Sequence, residues 1–220
     1  IAIHAALKEE VEKIRKGEKP SKQFLLDAFE RNLARQPLSA EEFTEAKKKG
    51  LASLGGYFDE HKQDFDVEMI PELSIAGVSI PLPNGENLLL RGQIDRLDIT
   101  GSRVTVVDYK TGSVKSRNDI LGETKTSDGG IKRQLDFYKL LLDLYDDGKY
   151  RMEEGRIEFI EPNTSGQYKT ETFEITGDDR KALEELLREK ALEIYNLSFW
   201  DTYCDDPGCE YCSLRRAMRQ

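Results

Sequence analysis

Two acidic residues and a lysine come close together in a stretch of the chain that is otherwise typical of β-structure. Asp95 and Asp108 flank Thr100-Gly101-Ser102, a turn signal between two runs rich in β-branched residues. If the Gly-Ser pair forms a two-residue loop, residues whose numbers sum to 203 face each other, so Asp95 faces Asp108. Facing side chains have Cβ atoms about 5 Å apart. Side chains alternate along a strand, so Lys110 shares the face of Asp108.

Such a cluster has two interpretations. Neighbouring carboxylates raise each other's pKa unless a cation holds both of them ionised, and a hard, oxygen-seeking ion such as Mg²⁺ suits them. Alternatively, Asp95 forms a structural salt bridge with Arg96 or Lys110 near a strand end. The hairpin by itself does not separate a metal site from an ion pair.

The composition limits the class of protein. A chain of 220 residues is long enough for one domain with a substantial core. The formal charge of −9 argues against a generally basic, nucleic-acid-coating surface, although a local basic groove remains compatible with it. The sequence has no apolar run of membrane-spanning length and no signal-peptide pattern. We therefore expect a cytoplasmic protein that does not contact membranes.

The first part of the chain, residues 1–60, has helical periodicity. One helix is predicted to run to about Arg15, a second to start after Ser21, and a third to start at a capping box formed by Ser39 and Glu42. His4 lies on the apolar stripe of the first helix. A histidine in that position is more often part of a core than a metal ligand.

Residues 66–178 follow with a period of two, and they predict a sheet core that contains the active site. Strand segments lie on either side of Pro71, where Glu72 interrupts the apolar pattern, and the hairpin comes next. The fold class that we predict is α/β, with a mixed central sheet of about five strands flanked by helices and preceded by the N-terminal helical region. Residues 179–220 are expected to form a C-terminal helix and a tail that contains the cysteines.

The polar segment from Thr111 to Ile131 is predicted to be a long loop directly after the acidic cluster. It carries Lys115 and Arg117, and Lys132 follows it, so it is either a disordered connector or a loop that contacts DNA.

The next helix is predicted from Lys132 to about Tyr145. It places Gln134 and Tyr138 on one face. A buried amide needs hydrogen-bond partners, and the backbone or a water near the carboxylates could supply them to Gln134.

Four motifs now stand in a recognisable order. They are His4 in an apolar helix, Gly92-Gln93-Ile94-Asp95-Arg96, Asp108-Tyr109-Lys110-Thr111-Gly112, and Gln134-Leu135-Asp136-Phe137-Tyr138. In this order and spacing the chain resembles the RecB-like nucleases of the PD-(D/E)xK superfamily, which have a restriction-endonuclease-like core. Such domains are found at the C-terminus of UvrD/Rep-type superfamily I helicases and in helicase–nuclease recombination complexes. The resemblance spans residues 4–138.

The resemblance implies a set of metal ligands. His4, Asp95 and Asp108 would bind Mg²⁺ or Mn²⁺, and the backbone carbonyl of Tyr109 would complete the set. Glu72 matches an acidic position that some family members add.

It also implies the roles of three further side chains. Lys110 would orient or help to deprotonate the attacking water. Gln134 and Tyr138 would support the site and contact DNA. The partners implied are DNA, single-stranded or as duplex ends, and a helicase motor in the same or a partner chain.

The cysteines depart from the family pattern. Family members with an iron–sulfur cluster use four cysteines, whereas this chain has only Cys204, Cys209 and Cys212. Three thiolates complete neither a tetrahedral zinc site nor a typical [4Fe–4S] cluster. We therefore expect no intact cluster in residues 1–220 and interpret the three as degraded ligands.

We expect a metal-dependent DNA nuclease in one domain, residues 1–220. Because the chain starts without Met inside a helical pattern, we also expect it to be part of a longer helicase–nuclease. The main alternative is a nuclease-like module with weak or lost catalysis, kept for binding DNA or protein. A sugar- or nucleotide-processing enzyme with paired carboxylates is a third hypothesis, but it gives Lys110 no role.

Overall fold

A computed structural model describes residues 1–65 and 68–218. A five-stranded sheet lies between helices. The strands are β1 (Glu68–Pro81), β2 (Asn87–Thr100), β3 (Arg103–Lys110), β4 (Arg151–Phe159) and β5 (Thr170–Glu174). The helices are α1 (Ala2–Arg15), α2 (Lys22–Leu33), α3 (Ala40–His61), α4 (Arg117–Leu121), α5 (Gly130–Leu144), α6 (Gly177–Tyr195) and α7 (Glu210–Met218). The predicted mixed α/β architecture is confirmed.

The strand order in the sheet is that of the chain, β1-β2-β3-β4-β5. Among the strands in the described ranges only β3 and β4 pair in parallel, and their connection runs through α4 and α5, as a parallel pair requires. In the β2–β3 hairpin Arg96 pairs with Val107 and Thr100 pairs with Arg103. These pairs sum to 203, so the predicted register is confirmed. Gly101 has a φ of +64°, which suits the tight turn.

The helices α1, α2 and α3 cover one face of the sheet. The hydroxyl of Ser21 caps α2, and Ser39 and Glu42 form the predicted capping box of α3. A buried cluster joins this helical layer to Val107 and Tyr109 of β3. The layer places the start of α1, with His4, against the end of β3.

The helix α5 covers the opposite face. Leu135 and Tyr138 of α5 belong to the same buried cluster as Val104 and Val106 of β3. Both faces of β3 are therefore covered, which suits its nearly continuous apolar run.

Gly155 of β4 allows α5 to approach the sheet closely. A Cβ added at Gly155 would lie 2.8–3.1 Å from three side-chain carbons of Leu135, which is fully buried.

We expect Gly155→Ala to lower the free energy of unfolding by about 1–3 kcal/mol, because Leu135 must leave its packed position. Urea denaturation measures this change. Gly177→Ala is the control, since a Cβ there meets no atom of the described chain within 4 Å. Equal stability of the two variants would contradict the close packing.

Some predicted boundaries differ from the structure. Residues 66 and 67, where the sheet was predicted to begin, lie outside the described residues. β4 begins at Arg151, in a segment whose charged residues hide the alternation of a strand. The segment predicted to be a loop, 111–131, contains the short helix α4, which Ser116 and Asp119 cap reciprocally. Within the described ranges, no helix is long and apolar enough to cross a membrane.

Candidate active site

Asp95 lies where the two strands of the hairpin part. The last recorded backbone pair is Arg96 with Val107, one residue before Asp95 and Asp108 would face each other. Beyond it, the Asp95 carboxylate accepts a hydrogen bond from the Tyr109 backbone N–H at 2.9 Å. The Asp95 side chain thus takes the place of the next backbone pair of the hairpin, and its carboxylate points towards β3.

His4 comes from α1 to the same point. Its Nε2 lies 3.1 Å from the carbonyl oxygen of Tyr109 and 3.5 Å from Oδ2 of Asp95. Both oxygens are acceptors, so Nε2 carries a proton in this arrangement. The hydrogen bond with Asp95 raises the pKa of His4 above its usual value, although burial opposes this shift. The Tyr109 carbonyl oxygen, the Asp95 carboxylate oxygen and Nε2 of His4 therefore lie close together, with the His4 proton between them.

Asp108, Lys110, Gln134 and Tyr138 form a second group beside the first. Lys110 Nζ lies 2.7 Å from Oδ2 of Asp108 and donates to Oε1 of Gln134 at 2.7 Å. An ammonium group only donates, so the Gln134 oxygen must face it and the amide nitrogen donates to the Tyr138 hydroxyl at 2.6 Å. The Tyr138 hydroxyl then donates to Oδ1 of Asp108 at 3.1 Å. Strand β3 and helix α5 together orient Lys110.

The Asp108 side chain is 2% exposed, and burial raises its pKa, with the charge of Asp95 adding to the shift. Its Oδ2 is buried and forms an ion pair with Lys110 at 2.7 Å, but no donor reaches it in hydrogen-bond geometry. The ammonium group of Lys110 offsets part of the cost of burying this charge, and a metal ion could bind the same oxygen.

The chemistry of the donor set suits a divalent cation. His4, Asp95, Asp108 and the Tyr109 carbonyl would supply one nitrogen and three oxygens, although the ligand atoms of His4, Asp95 and Asp108 do not all lie within 4.8 Å of one another in this structure. Carboxylates, carbonyls and water suit Mg²⁺ and Mn²⁺, and imidazole shifts the preference towards transition metals. The residues therefore fit Mn²⁺ and, with more water ligands, Mg²⁺.

Mn²⁺ binding should weaken as the pH falls. The metal competes with protons for His4 and Asp108, and the pKa of each is raised. A raised pKa keeps the protonated form populated to higher pH, so we expect the affinity to rise with pH between about pH 5.5 and 8. Calorimetric titrations in a buffer series measure it. His4→Ala should flatten the upper part of this profile, and a pH-independent affinity of the wild type would contradict the competition.

Glu72 lies on β1 opposite Asp95 of β2, between the backbone pairs Pro71–Arg96 and Leu73–Ile94. Its backbone φ is +46°, which is unusual for a residue with a side chain. Its carboxylate lies 2.7 Å from Nζ of Lys8, and Lys8 follows His4 by one turn of α1. The structure thus places Glu72 at the rim of the site with a lysine partner that the sequence did not suggest.

The three basic residues proposed to contact DNA have different environments. Arg117 donates to Glu171 at 2.9 Å and lies over the Phe173 ring of β5. Lys132 is ion-paired with Asp136 at 2.5 Å. The backbone carbonyl of Lys115 accepts a hydrogen bond from the Lys169 ammonium group at 3.4 Å. Arg117 and Lys132 are thus bound to acidic side chains in this structure.

A buried network behind the site was missed by sequence reasoning. Arg96, which is 1% exposed, holds Asp98 through two hydrogen bonds of 2.7 and 3.0 Å. It also donates to the Tyr109 hydroxyl at 2.7 Å and to Glu158 at 3.3 Å. The Tyr57 hydroxyl donates to the same Glu158. In the sequence Arg96 stands out only as a neighbour of Asp95. No local sequence pattern points to Glu158, because it lies on another strand.

Two other groups of potential metal ligands lie in the described part of the chain. In one, the sulfurs of Cys204 and Cys212 are 3.5 Å apart and Cys209 is within 4.8 Å of both, which leaves a tetrahedral site one ligand short. In the other, His61 and Asp64 approach Glu158. Glu158 already binds Arg96 there, and a cation would face that guanidinium at close range.

Two solved structures resemble the chain in outline. The SSO0001 protein is 15% identical, with a TM-score of 0.42, over 94% of this chain and 91% of that one. A proposed exonuclease from Eubacterium rectale is 10% identical, with a TM-score of 0.45, over 96% of this chain and 73% of that one. At these TM-scores neither likeness bears on the function of this chain. Among curated proteins, none matches the sequence.

The match to a family model is more informative. The model of the PD-(D/E)XK nuclease superfamily matches residues 1–217, which include α1 with His4, the hairpin and α5. The match covers nearly the whole chain, together with a mixed five-stranded sheet flanked by helices. The chain therefore belongs to the PD-(D/E)XK nuclease superfamily.

Proposed function

We propose that this domain is a divalent-metal-dependent deoxyribonuclease that hydrolyses phosphodiester bonds and works with an attached DNA helicase in repair or recombination. The observation that carries the proposal is the convergence of His4, Asp95 and the Tyr109 carbonyl beside the buried Asp108–Lys110 pair. Superfamily membership supports nuclease chemistry. The order of the motifs over residues 4–138 supports the link to a helicase.

The four ligand residues would hold Mg²⁺ or Mn²⁺, which when bound supplies charge to polarise the scissile phosphate and to lower the pKa of a water. Lys110 has three N–H donors, of which one is hydrogen-bonded to Gln134 and one faces Asp108 in the ion pair. Its side chain is 25% exposed, so the third donor can reach a water or a phosphate oxygen. Lys110 thereby holds the nucleophile and places positive charge beside the transition state.

Gln134 and Tyr138 act through Lys110 and Asp108. Tyr138 is largely buried, and burial raises the pKa of its hydroxyl, so that it stays a neutral donor to Asp108. Gln134 keeps the ammonium group aimed along β3. Neither residue is required to exchange a proton with the substrate.

The complete set of ligands argues for an enzyme rather than a binding module. A catalytically silent module that retained only DNA or protein contacts would have no need for a lysine that Gln134 holds beside a buried carboxylate. In the described residues we find no feature that favours the silent module.

Titration calorimetry and cleavage assays together test the proposal. We expect Mn²⁺ to bind the wild type with one main site and to bind Asp95→Asn at least about tenfold more weakly. End-labelled single-stranded DNA, duplex DNA and RNA are then incubated with Mg²⁺ or Mn²⁺. Metal binding with cleavage of DNA supports the proposal. Cleavage of RNA alone would contradict the substrate, and equal metal binding by both proteins would contradict the site.

A further inference from the structure

Two basic side chains share one carboxylate at the start of β5. Nη1 of Arg117 lies 2.9 Å from Oε2 of Glu171, and Nζ of Lys169 lies 2.8 Å from Oε1 of the same residue. Among the described residues, no other carboxylate lies within ion-pair distance of either cation. We call these three residues the β5 cluster. Two positive charges and one negative charge leave it net positive, although the whole chain has a formal charge of −9.

The guanidinium group of Arg117 is held on two sides. Its Nη1 donates to Glu171 and to the Thr172 carbonyl at 3.1 Å, and its Cζ lies 4.2 Å from the centre of the Phe173 ring. The hydrogen bonds that it forms with described residues all leave from Nη1. Its side chain is 49% exposed, so a ligand can approach the N–H groups of Nε and Nη2. An arginine fork that is already held in place suits the binding of a phosphate.

The sheet places the β5 cluster near the candidate active site. Lys110 of β3 pairs with Phe159 of β4, and the Phe159 N–H donates to the Lys169 carbonyl at 3.0 Å. The backbone of Lys169 thus lies two strand spacings from that of Lys110, which is about 10 Å. This separation spans about three nucleotides of a B-form strand, at about 3.4 Å each along the axis, and fewer of an extended strand.

The cluster and Lys110 lie on the same face of the sheet. Lys110 contacts Gln134 of α5, and Phe173 belongs to the buried cluster that joins β3 to α5. Side chains alternate along a strand, so Glu171 shares the face of Phe173, and its ion pair places Lys169 there too. A nucleic-acid strand that passes Lys110 on this face therefore reaches the β5 cluster.

We propose that Arg117 and Lys169 bind one phosphate of the DNA backbone, within about three nucleotides of the bond that is cleaved. The inference rests on the proposed function for the identity of the strand as DNA. Glu171 aligns the two cations and offsets one of their charges, so it limits their attraction for the phosphate. Phosphate contacts fix the register of a strand without reading its bases. The subsite therefore positions DNA of any sequence.

Binding of a labelled single strand in EDTA, followed by fluorescence anisotropy over a salt series, tests the two cations. Arg117→Gln and Lys169→Gln should each lower the affinity about three- to tenfold at low salt and reduce the slope of log Kd against log salt by about 0.7. Lys47→Gln is the matched control. Lys47 is 39% exposed and pairs with Glu30 at 2.8 Å, on the helical layer of the opposite face. Wild-type binding by both variants, or an equal loss in the control, would overturn the proposal.

Glu171→Gln should change the affinity in the opposite direction. The amide keeps the shape of the side chain but removes the charge that offsets the cations, so we expect binding about threefold tighter and a steeper salt dependence. A protein that has lost its fold does not gain affinity, so this variant distinguishes a charge effect from unfolding. Weaker binding by a Glu171→Gln protein with the wild-type circular dichroism spectrum would contradict the assignment.

A neutral linkage in the strand locates the subsite. Labelled strands carry one uncharged methylphosphonate at successive positions around the cleaved bond. For the wild type we expect one position, within about three nucleotides of that bond, at which the neutral linkage lowers kcat/KM about three- to tenfold. Lys169→Gln should lose most of this sensitivity at that position alone. The same sensitivity profile in the wild type and Lys169→Gln would overturn the proposal.

The binding assay also separates this inference from the proposed function, because it requires neither a metal ion nor cleavage. Affinity changes of the expected signs, without cleavage in Mg²⁺ or Mn²⁺, support the phosphate subsite and reject the nuclease. Metal-dependent cleavage, with wild-type binding by every variant of the β5 cluster, supports the nuclease and rejects the subsite.

Discussion

Asp108→Asn should abolish metal-dependent DNA cleavage while leaving the domain folded. The substitution keeps the shape of the side chain but removes the charge that would bind the cation and hold Lys110 at 2.7 Å. Losing a carboxylate ligand removes several kcal/mol of transition-state stabilisation, so we expect the rate to fall by at least about a thousandfold. Single-turnover cleavage of a labelled strand measures the chemical step.

The stability of this variant should change little. Burial raises the pKa of Asp108, so its ionised form destabilises the folded state at neutral pH, and the amide relieves that cost. Loss of the ion pair with Lys110 acts in the opposite direction. We expect the free energy of unfolding to stay within about 1 kcal/mol of the wild type.

A matched control tests whether loss of an aspartate charge elsewhere in the domain also lowers the rate. Asp143→Asn changes an aspartate on α5 whose partner Lys139 lies 3.7 Å away, and it should leave the rate unchanged. Wild-type cleavage by Asp108→Asn would exclude Asp108 as a metal ligand. Loss of activity in both variants would show that the assay reports a general loss of fold.

Arg96→Met should be the most destabilising single substitution near the site. Arg96 is fully buried and neutralises Asp98 and Glu158, and the Glu158 side chain is only 1% exposed. Removing one partner leaves buried carboxylates without compensation. We expect a loss of about 3–5 kcal/mol in the free energy of unfolding. Urea denaturation followed by circular dichroism measures it.

Two comparisons make this prediction specific. Arg91→Met, at an exposed position of the same strand, should change stability by no more than about 0.5 kcal/mol. Adding Glu158→Gln to Arg96→Met should recover part of the loss, because it removes one of the two stranded charges. Wild-type stability of Arg96→Met would show that the buried network contributes nothing.

Arg96 should also affect metal binding at the proposed site. Its bond to the Tyr109 hydroxyl holds the residue whose N–H binds Asp95 and whose carbonyl faces His4. Tyr109→Phe removes only that hydroxyl bond. Weaker Mn²⁺ binding by this variant, at nearly unchanged stability, would identify Arg96 as a positioning residue rather than only a stabilising one.

Much of the local structure could be predicted from the sequence. The caps of α2 and α3 depend on hydrogen bonds between residues three positions apart, such as Ser39 with Glu42. The hairpin register follows from a two-residue turn and the alternation of side chains. For the same reason Asp108 and Lys110 could be placed on one face of β3. Interactions that close over a few residues leave their pattern in the sequence.

The tertiary structure alone decided how these parts meet. His4 reaches the Tyr109 carbonyl across 105 residues, and Glu158 reaches Arg96 across 62, through a parallel pairing that no local pattern encodes. The motif order predicted which residues belong together, but the burial of the Asp108 carboxylate and the ion pairs of the β5 cluster became visible only in three dimensions. Parallel pairing depends on how whole layers pack on both faces of a sheet, and many sequences satisfy that packing equally well.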